Sequence, residues 1–236
     1  MIITLSSWKG GTGKTTLNTT LARLLADGGK KVLLIDLDSN CALSQVFDCI
    51  MKDYTSMQLL SGPLDSFDGV YRAGENIDII PGDIRMSRLN NITDSQLKIN
   101  LKRAGLVEKY DYIIIDPPGY WGAHSRNAVF ASDVVVIPAA CSRIDFAATR
   151  LYLEELRCCE VGAEIFICIN CFNNKTNLPG IYDEYKNEFA GFVMDEPVPY
   201  IASLKKITGG QNFIFNPAVK AKLLPFVKQI TGGQNA

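Results

Sequence analysis

The stretch IITLSSWKGGTGKTTL, residues 2–17, joins an apolar run to a glycine-rich loop and to the start of a helical pattern. The run Ile2–Ser7 indicates a buried strand, and leucines recur at i, i+4, i+7 and i+8 between Leu17 and Leu25. A second apolar run, Val32–Asp36, follows the paired glycines that end this helix. Strand, loop, helix and strand in this order predict a βαβ unit with a right-handed crossover and a parallel sheet.

The same alternation continues along the chain and predicts the rest of the sheet. Further strands are expected at Ile77–Ile80, Tyr112–Asp116, Val134–Pro138, Glu164–Asn170 and, at an edge, Pro197–Ile201. Helices are expected at about 93–104, 145–158 and 217–230, with a loop and a short helix between 176 and 195. Strands that are apolar throughout are typical of a parallel sheet covered on both faces. The prediction is one α/β domain, residues 1–236, with a mostly parallel twisted sheet, helices on both faces and a flexible tail at 230–236.

The composition excludes several classes of protein. Of the 236 residues, 47% are apolar and 21% are charged, and the formal net charge is −1. This balance supports a sizeable core and is not that of a nucleic-acid-binding polycation, so any DNA contact has to come from a local basic patch. No apolar run reaches the roughly 18 residues of a membrane span, and the first residues follow a strand pattern rather than that of a signal peptide.

The cysteines indicate a reduced, cytoplasmic protein. Their number, seven, is odd, and their spacing is irregular. Cys168 and Cys171 have the C-x-x-C spacing, but Cys168 lies in an apolar run and there is no second pair. We therefore expect packing roles rather than metal binding or redox chemistry.

The glycine-rich loop has the residues that bind the phosphates of a nucleotide. Its glycines allow positive φ angles, so that backbone N–H groups at a helix N-terminus can point at phosphate oxygens. Lys14 can reach the β- and γ-phosphates, the Thr15 hydroxyl can ligate Mg²⁺, and Thr16 can donate to the α-phosphate. The predicted phosphate-binding set is Gly10, Gly11, Thr12, Gly13, Lys14, Thr15 and Thr16.

One lysine in this loop is additional to the usual pattern. The G-x-x-x-x-G-K-[ST] pattern has glycine at the position where this chain has Trp8, and Lys9 follows directly. The segment resembles the deviant Walker A loop, K-G-G-x-G-K-T-T, of the ParA/MinD family of dimeric ATPases, and the chain is most similar to the short ParA-type partition proteins. The resemblance implies a P-loop NTPase fold, ATP and Mg²⁺ as cofactors, and a homodimer that forms on ATP binding.

In that family, the early lysine crosses the dimer interface and contacts the nucleotide of the partner subunit. The resemblance implies this role for Lys9. It is physically reasonable, because Lys14 already serves the terminal phosphates of its own loop and a second cation is most useful to a neighbouring site. The alternative is that Lys9 is an ordinary solvated loop lysine.

Acidic residues follow the second strand, in DLDSN at residues 36–40. The segment resembles the family pattern D-x-D-P-Q, with serine and asparagine in place of proline and glutamine. By this match, Asp38 positions or activates the hydrolytic water, and Asp36 supports the metal shell. For each carboxylate, the alternative is a helix cap.

A second acidic segment, YDYIIIDPPG at residues 110–119, resembles the other acidic motif of the family. Asp116 is expected to accept hydrogen bonds from Mg²⁺-bound water and from Thr15, the alternative being a structural acid at the strand end. The Pro-Pro-Gly turn that follows is suited to sensing a γ-phosphate. We expect His124 to be an ordinary surface histidine.

Three further positions have expected roles. Asp145 corresponds to the acidic position of a family segment near the dimer interface. Asn170 resembles the asparagine that binds the adenine edge, although a capping or turn role is the alternative. Pro199 is expected to form the other side of the base pocket.

Three interpretations of what such an ATPase acts on follow from the sequence. The resemblance implies a DNA-partitioning ATPase that binds nonspecific DNA, associates with the nucleoid in its ATP form and works with a ParB-type centromere-binding protein. Arg143, Arg150 and Arg157 share one helix face and could contact phosphates, or could pair with acids such as Glu154. A MinD-like membrane or cargo-positioning ATPase and a small-molecule ligase on the same fold remain alternatives. We expect the final helix to pack on the domain rather than to anchor it in a membrane.

Overall fold

A twisted sheet forms the centre of the molecule. The structure is a computed structural model that describes residues 1–64, 67–89, 91–173, 177–209 and 214–233. Seven strands are found in the described residues: β1 Ile2–Leu5, β2 Val32–Asp36, β3 Tyr71–Gly74, β4 Ile77–Ile80, β5 Tyr112–Asp116, β6 Val134–Ala139 and β7 Glu164–Ile169.

Helices connect these strands and cover them. They are α1 Lys14–Asp27, α2 Ala42–Val46, α3 Ser56–Ser61, α4 Gln96–Arg103, α5 Leu106–Lys109, α6 Ala123–Ala131, α7 Arg143–Cys158, α8 Ile181–Glu188 and α9 Pro217–Ile230. Two 3₁₀ segments lie at Ile84–Arg88 and Ala202–Gly209. Within the described ranges, no helix is long and apolar enough to cross a membrane.

The strand order is β3-β4-β2-β5-β1-β6-β7. Every neighbouring pair is parallel except β3 and β4, which are antiparallel. Because β1, β2 and β5 run side by side in the same direction, their carboxyl ends meet at one edge, where the loop after β1 lies. In this register Asp36 is directly opposite Asp116. The predicted fold class, an α/β domain with a mostly parallel sheet, is confirmed.

Helices pack on both faces of the sheet. Along β5, Ile114 belongs to the core cluster that contains the leucines of α1 and Phe226 of α9, whereas Ile113 and Ile115 belong to the cluster formed with α3, α4 and α6. Alternate side chains of one strand therefore enter opposite layers, as in a parallel sheet buried on both sides. Each fully buried isoleucine stabilises the fold by about 1.5–3 kcal/mol.

The sequence prediction was wrong at one edge and missed five strands and α-helices. Residues 197–201 do not form a strand; they make one isolated parallel bridge, Phe172 to Pro199. Pro197 and Pro199 have no N–H group to donate, so a ladder cannot continue through them. The elements not predicted are the antiparallel edge strand β3 and the helices α2, α3, α5 and α6.

The end of the chain is packed as far as Thr231. Ile230 and Thr231 are both buried, and Thr231 Oγ1 donates to the Val227 carbonyl at 3.0 Å. These two residues therefore belong to the packed end of α9 rather than to the predicted tail at 230–236. Residues 234–236 of that prediction lie outside the described residues.

Candidate functional site

The glycine-rich loop lies between β1 and α1 and leads directly into the helix. Gly13 is the residue before α1 and has φ 90°, and Gly11 has φ 79°. Gly13 also leaves no room for a side chain, because a Cβ there would lie 2.4 Å from Asn170 Nδ2. Both glycines are in the region that L side chains rarely adopt, so the loop conformation depends on them.

Lys14 lies in the centre of the loop and is largely removed from water. Its Nζ donates to Ser7 Oγ at 3.5 Å, and Ser7 Oγ also lies 3.0 Å from Thr12 Oγ1. Burial lowers the pKa of Lys14, and the negative charges of Asp116 and Asp38 act in the opposite direction. A poorly solvated cation between carboxylates is well placed to exchange these contacts for phosphate oxygens.

Asp116 connects the end of β5 to the first turn of α1. Its two oxygens accept hydrogen bonds from Thr15 Oγ1 at 2.7 Å and from Asn18 Nδ2 at 2.8 Å. Burial raises the pKa of Asp116 to about 6, against the opposing effects of the Thr15 hydrogen bond and the Lys14 charge. The predicted Thr15–Asp116 pair is therefore present as a direct contact, although the two residues are 101 positions apart in sequence.

Asp36 lies beside Asp116 and is fully buried. It accepts hydrogen bonds from Ser44 N at 2.9 Å, from Ser44 Oγ at 2.6 Å and from Asp38 N at 3.1 Å. Burial, and next the Asp116 charge, raise the pKa of Asp36 to about 7. These contacts match the helix-cap alternative, since Ser44 is in α2. Direct support of a metal shell by Asp36 stays a prediction.

Asp38 is half-buried and follows two residues later. One of its oxygens, Oδ1, accepts hydrogen bonds from Asn40 N at 2.9 Å and from Asn40 Nδ2 at 3.0 Å. Its charge is among those that act on the pKa of Lys14, which indicates that Asp38 and the loop lysine share one electrostatic environment.

The Pro-Pro-Gly turn after β5 lies against the loop. A Cβ on Gly119 would be 3.2 Å from Lys14 Nζ and 3.3 Å from Gly10 N. The helix that follows, α6, contains His124, and here the sequence expectation was wrong: His124 is 2% exposed, not a surface residue. It is buried because α6 packs on β1 and α4, and that burial lowers the pKa of the imidazole.

Lys9 is directed towards α7. Its Nζ lies 2.8 Å from Asp145 Oδ2, and the side chain of Lys9 is 41% exposed whereas that of Asp145 is 6% exposed. Ser142, the N-cap of α7, also donates to Asp145. Lys9, the additional lysine of the loop, is thus held beside the phosphate loop by Asp145, which is 136 positions away in sequence.

The predicted base-binding residues lie at the far side of the loop. Asn170 follows β7, donates from Nδ2 to the Thr12 carbonyl at 2.9 Å and accepts from Cys171 N at 2.8 Å. Its amide is therefore engaged within the chain, as the capping or turn alternative expects. Pro199 is half-buried, and its bridge to Phe172 holds it beside the segment that follows Asn170.

The basic face of α7 is neutralised by α8. Arg143 pairs with Glu184, and Arg150 pairs with Glu188. Arg157 lies over the ring of Phe192, 4.9 Å from its centroid. These contacts correspond to the paired-face alternative, although the acids come from α8 and not from α7 itself.

Several contact residues of the site were not predicted. Asn18 could have been noticed, because it is a polar residue one turn after Thr15 on a helix of buried leucines. Ser7 and Ser44 give no comparable signal. For Tyr152 of α7 the sequence predicted a helix but no contact; its hydroxyl donates to Ser6 Oγ at 2.7 Å. Among the described residues, no group of three or more His, Cys, Asp or Glu side chains forms a metal cluster, and Cys168 is buried in β7.

The chain resembles known proteins over most of its length. The family model described as an AAA domain matches residues 1–155. The sporulation initiation inhibitor protein Soj of Bacillus subtilis (strain 168) is 30% identical over 211 residues, which cover 84% of this chain and 83% of Soj.

Solved structures show the same fold. A plasmid partition protein from Borrelia burgdorferi B31 bound to AMPPNP has a TM-score of 0.80 at 24% identity, with 97% of this chain and 99% of that chain covered. The septum site-determining protein MinD from Pyrococcus horikoshii OT3, complexed with Mg-ADP, has a TM-score of 0.80 at 21% identity and covers 100% of this chain and 98% of its own. Together with the loop and the two acidic motifs described above, these matches show that the chain belongs to the ParA/MinD family of P-loop ATPases.

Proposed function

We propose that this protein is a Mg²⁺-dependent ATPase that dimerises on binding ATP, binds nonspecific DNA and segregates a plasmid or chromosome together with a ParB-type centromere-binding protein. ATP hydrolysis is slow and is stimulated by that partner. The ATP-bound dimer is associated with the nucleoid. The observation that carries this proposal is the position of Lys9. Its side chain points towards Asp145 rather than into the centre of the phosphate loop and is 41% exposed, so it can reach a second subunit.

The residues present fit Mg²⁺-ATP. The glycines of the loop and the buried Lys14 suit a polyphosphate, and the space at Gly119 would be filled by a single Cβ near Lys14 Nζ. Thr15 and Asp116 provide the hard oxygen atoms that Mg²⁺ prefers, and would hold it. Bound Mg²⁺ would supply charge neutralisation on the phosphates. The buried Asn18 Oδ1 has no hydrogen-bond partner among the described residues, which suits a site completed by a ligand.

The chain's own residues have separate tasks in this proposal. Lys14 binds the terminal phosphates of its own nucleotide. Asp38 orients the attacking water through the oxygen that Asn40 does not occupy. Lys9 leaves Asp145 and contacts the nucleotide of the partner subunit. The exposed side of Lys9 leaves it free to turn to a phosphate, and the Ser142 hydroxyl still donates to the buried Asp145 carboxylate when Lys9 leaves it.

The first experiment tests dimerisation. Light scattering of the full chain with Mg²⁺ and ATP should give a dimer for the wild type and a monomer for Lys9→Ala, which should still bind nucleotide. Lys222→Ala, which removes an exposed lysine from α9, is the matched control and should dimerise. Asp38→Ala should remain dimeric, because hydrolysis no longer returns it to monomers. A Lys9→Ala protein that dimerises as the wild type does would contradict the role of Lys9 across the interface.

The second experiment tests the DNA function. Fluorescence anisotropy of a labelled random-sequence duplex should rise with protein and ATP, but not with ADP. Binding that depends on phosphate contacts should weaken steeply between 50 mM and 200 mM salt. ATP-dependent dimers without affinity for DNA would contradict this part of the proposal and leave the ATPase function intact.

A MinD-like positioning ATPase is the second candidate. The pairing of Arg143 and Arg150 with α8 favours it, because the helix face expected to contact DNA already has its charges neutralised. Membrane docking through α9 is not expected, since its apolar side chains, among them Leu223 and Phe226, are buried in the core. ATP-dependent co-sedimentation with anionic vesicles, without DNA binding, would support this candidate over DNA partitioning.

A further inference from the structure

We propose that Asn40 is a positioning residue that sets the direction of the Asp38 carboxylate for ATP hydrolysis. The inference rests on the proposed function, in which Asp38 orients the attacking water. Asn40 stands where the family pattern D-x-D-P-Q has glutamine, and none of the sequence expectations gave it a role.

The contacts of Asn40 converge on a single atom. Its backbone N–H and its side-chain Nδ2 both donate to Asp38 Oδ1, at 2.9 Å and 3.0 Å. Two donors on one oxygen fix the rotation of the carboxyl group and leave the other oxygen, Oδ2, without a hydrogen bond from any described residue. Asp38 therefore presents one defined acceptor to a water molecule.

Two further hydrogen bonds hold the turn, one of them to Asn40 itself. Gln45 Nε2, on α2, donates to the Asn40 carbonyl at 2.9 Å, and Cys41 N donates to the Asp38 carbonyl at 2.9 Å. Gln45 of α2 therefore holds Asn40, and Asn40 holds Asp38. The same helix is fixed to the sheet by the hydrogen bond from Ser44 to the buried Asp36.

One side of the Asn40 turn is open. Asn40 and Gln45 line an open cavity of about 450 Å³, so no packed side chain supports the turn from that side. A carboxylate without such support rotates, and a displacement of about 1 Å at a reacting group can reduce a rate by as much as a hundredfold. Orientation by Asn40 should therefore appear in kcat.

The test compares substitutions at position 40 in the full chain. Phosphate release is measured over a range of ATP concentrations at saturating Mg²⁺, and thermal unfolding is recorded for each variant. Asn40→Ala keeps the backbone N–H bond and removes the Nδ2 bond, so kcat should fall by about tenfold while the KM for ATP stays within about twofold. Asn40→Gln keeps an amide donor and should retain kcat within about threefold of the wild type. Asn40→Asp, which places a carboxylate beside Asp38 Oδ1, should be slower than Asn40→Ala.

Two controls make the outcome decisive. Ser39→Ala changes the neighbouring residue of the same turn, whose hydroxyl makes no hydrogen bond among the described residues, and should leave kcat unchanged. Asp38→Ala tests whether hydrolysis depends on Asp38, as the proposed function requires. If the wild type hydrolyses ATP and Asp38→Ala does not, an unchanged kcat in Asn40→Ala overturns the role of Asn40 alone. If kcat falls in Asn40→Ala and is not restored in Asn40→Gln, or if it falls together with Tm, Asn40 only stabilises the turn. Either result also overturns the positioning role of Asn40. A wild type that does not hydrolyse ATP overturns the proposed function, and this inference with it.

Discussion

Replacing Gly13 by alanine would place a methyl group 2.4 Å from Asn170 Nδ2, at a residue whose φ is 90°. Two costs follow from the structure. An L residue in left-handed backbone costs about 1–2 kcal/mol. Displacing Asn170 breaks its hydrogen bond to the Thr12 carbonyl, and leaving that buried acceptor unpaired costs about 1–3 kcal/mol. The expected loss for Gly13→Ala is therefore about 3 kcal/mol in the free energy of unfolding.

Gly11 provides a matched control within the same loop. Its φ is 79°, but a Cβ there would have no atom within 4 Å, so Gly11→Ala pays only the backbone cost, about 1.5 kcal/mol. In a chain of this size, about 2–4 °C in Tm corresponds to each kcal/mol. Thermal unfolding without nucleotide should therefore show a decrease of about 6–12 °C for Gly13→Ala and about 3–6 °C for Gly11→Ala.

A double-mutant cycle isolates the contact itself. Asn170→Ala removes the side chain that the new methyl group meets, so Gly13→Ala combined with Asn170→Ala should lose less stability than the two single changes added together. Equal Tm values for Gly11→Ala and Gly13→Ala, or strict additivity in the cycle, would refute the reasoning that Asn170 lies against the loop.

Three further predictions concern the centre of the site. In nucleotide-free protein, Tm should fall as pH rises from about 4 to about 7 and then level off, because the folded pKa values of Asp36 and Asp116 are raised from 3.8 to about 7 and about 6, and between the unfolded and folded values the folded state binds more protons than the unfolded state. Calorimetry should show a smaller decrease in Asp116→Asn, which removes the charge that helps raise the pKa of Asp36, and an equal decrease would contradict the assignment. Gly119→Ala should weaken ATP binding by about tenfold in a fluorescent-nucleotide titration, since the methyl group meets Lys14 Nζ at 3.2 Å, with little change in Tm. Lys14→Ala should abolish the increase in Tm that ATP gives the wild type, and a retained increase would exclude Lys14 as a phosphate ligand.

Much of the fold could be predicted from local patterns. The loop at residues 8–16 places its glycines and its lysine within one turn of a helix start, and neighbouring residues in sequence are necessarily neighbours in space. Apolar runs such as Val32–Asp36 and Tyr112–Asp116 predicted buried parallel strands for the same reason. The edge strand β3 was missed because it is only partly buried and carries no continuous apolar signal.

The sequence alone therefore determined the fold class, the phosphate loop and the acids at the strand ends, since each depends on residues a few positions apart. Only the tertiary structure decided the partners of these groups. The strand order sets Asp36 against Asp116, burial in the folded domain raises the pKa of both, and helix packing buries His124 and brings Asp145 to Lys9 across 136 positions. Such contacts depend on which strands are neighbours, and a charged side chain gives no indication in sequence of the partner that it will meet.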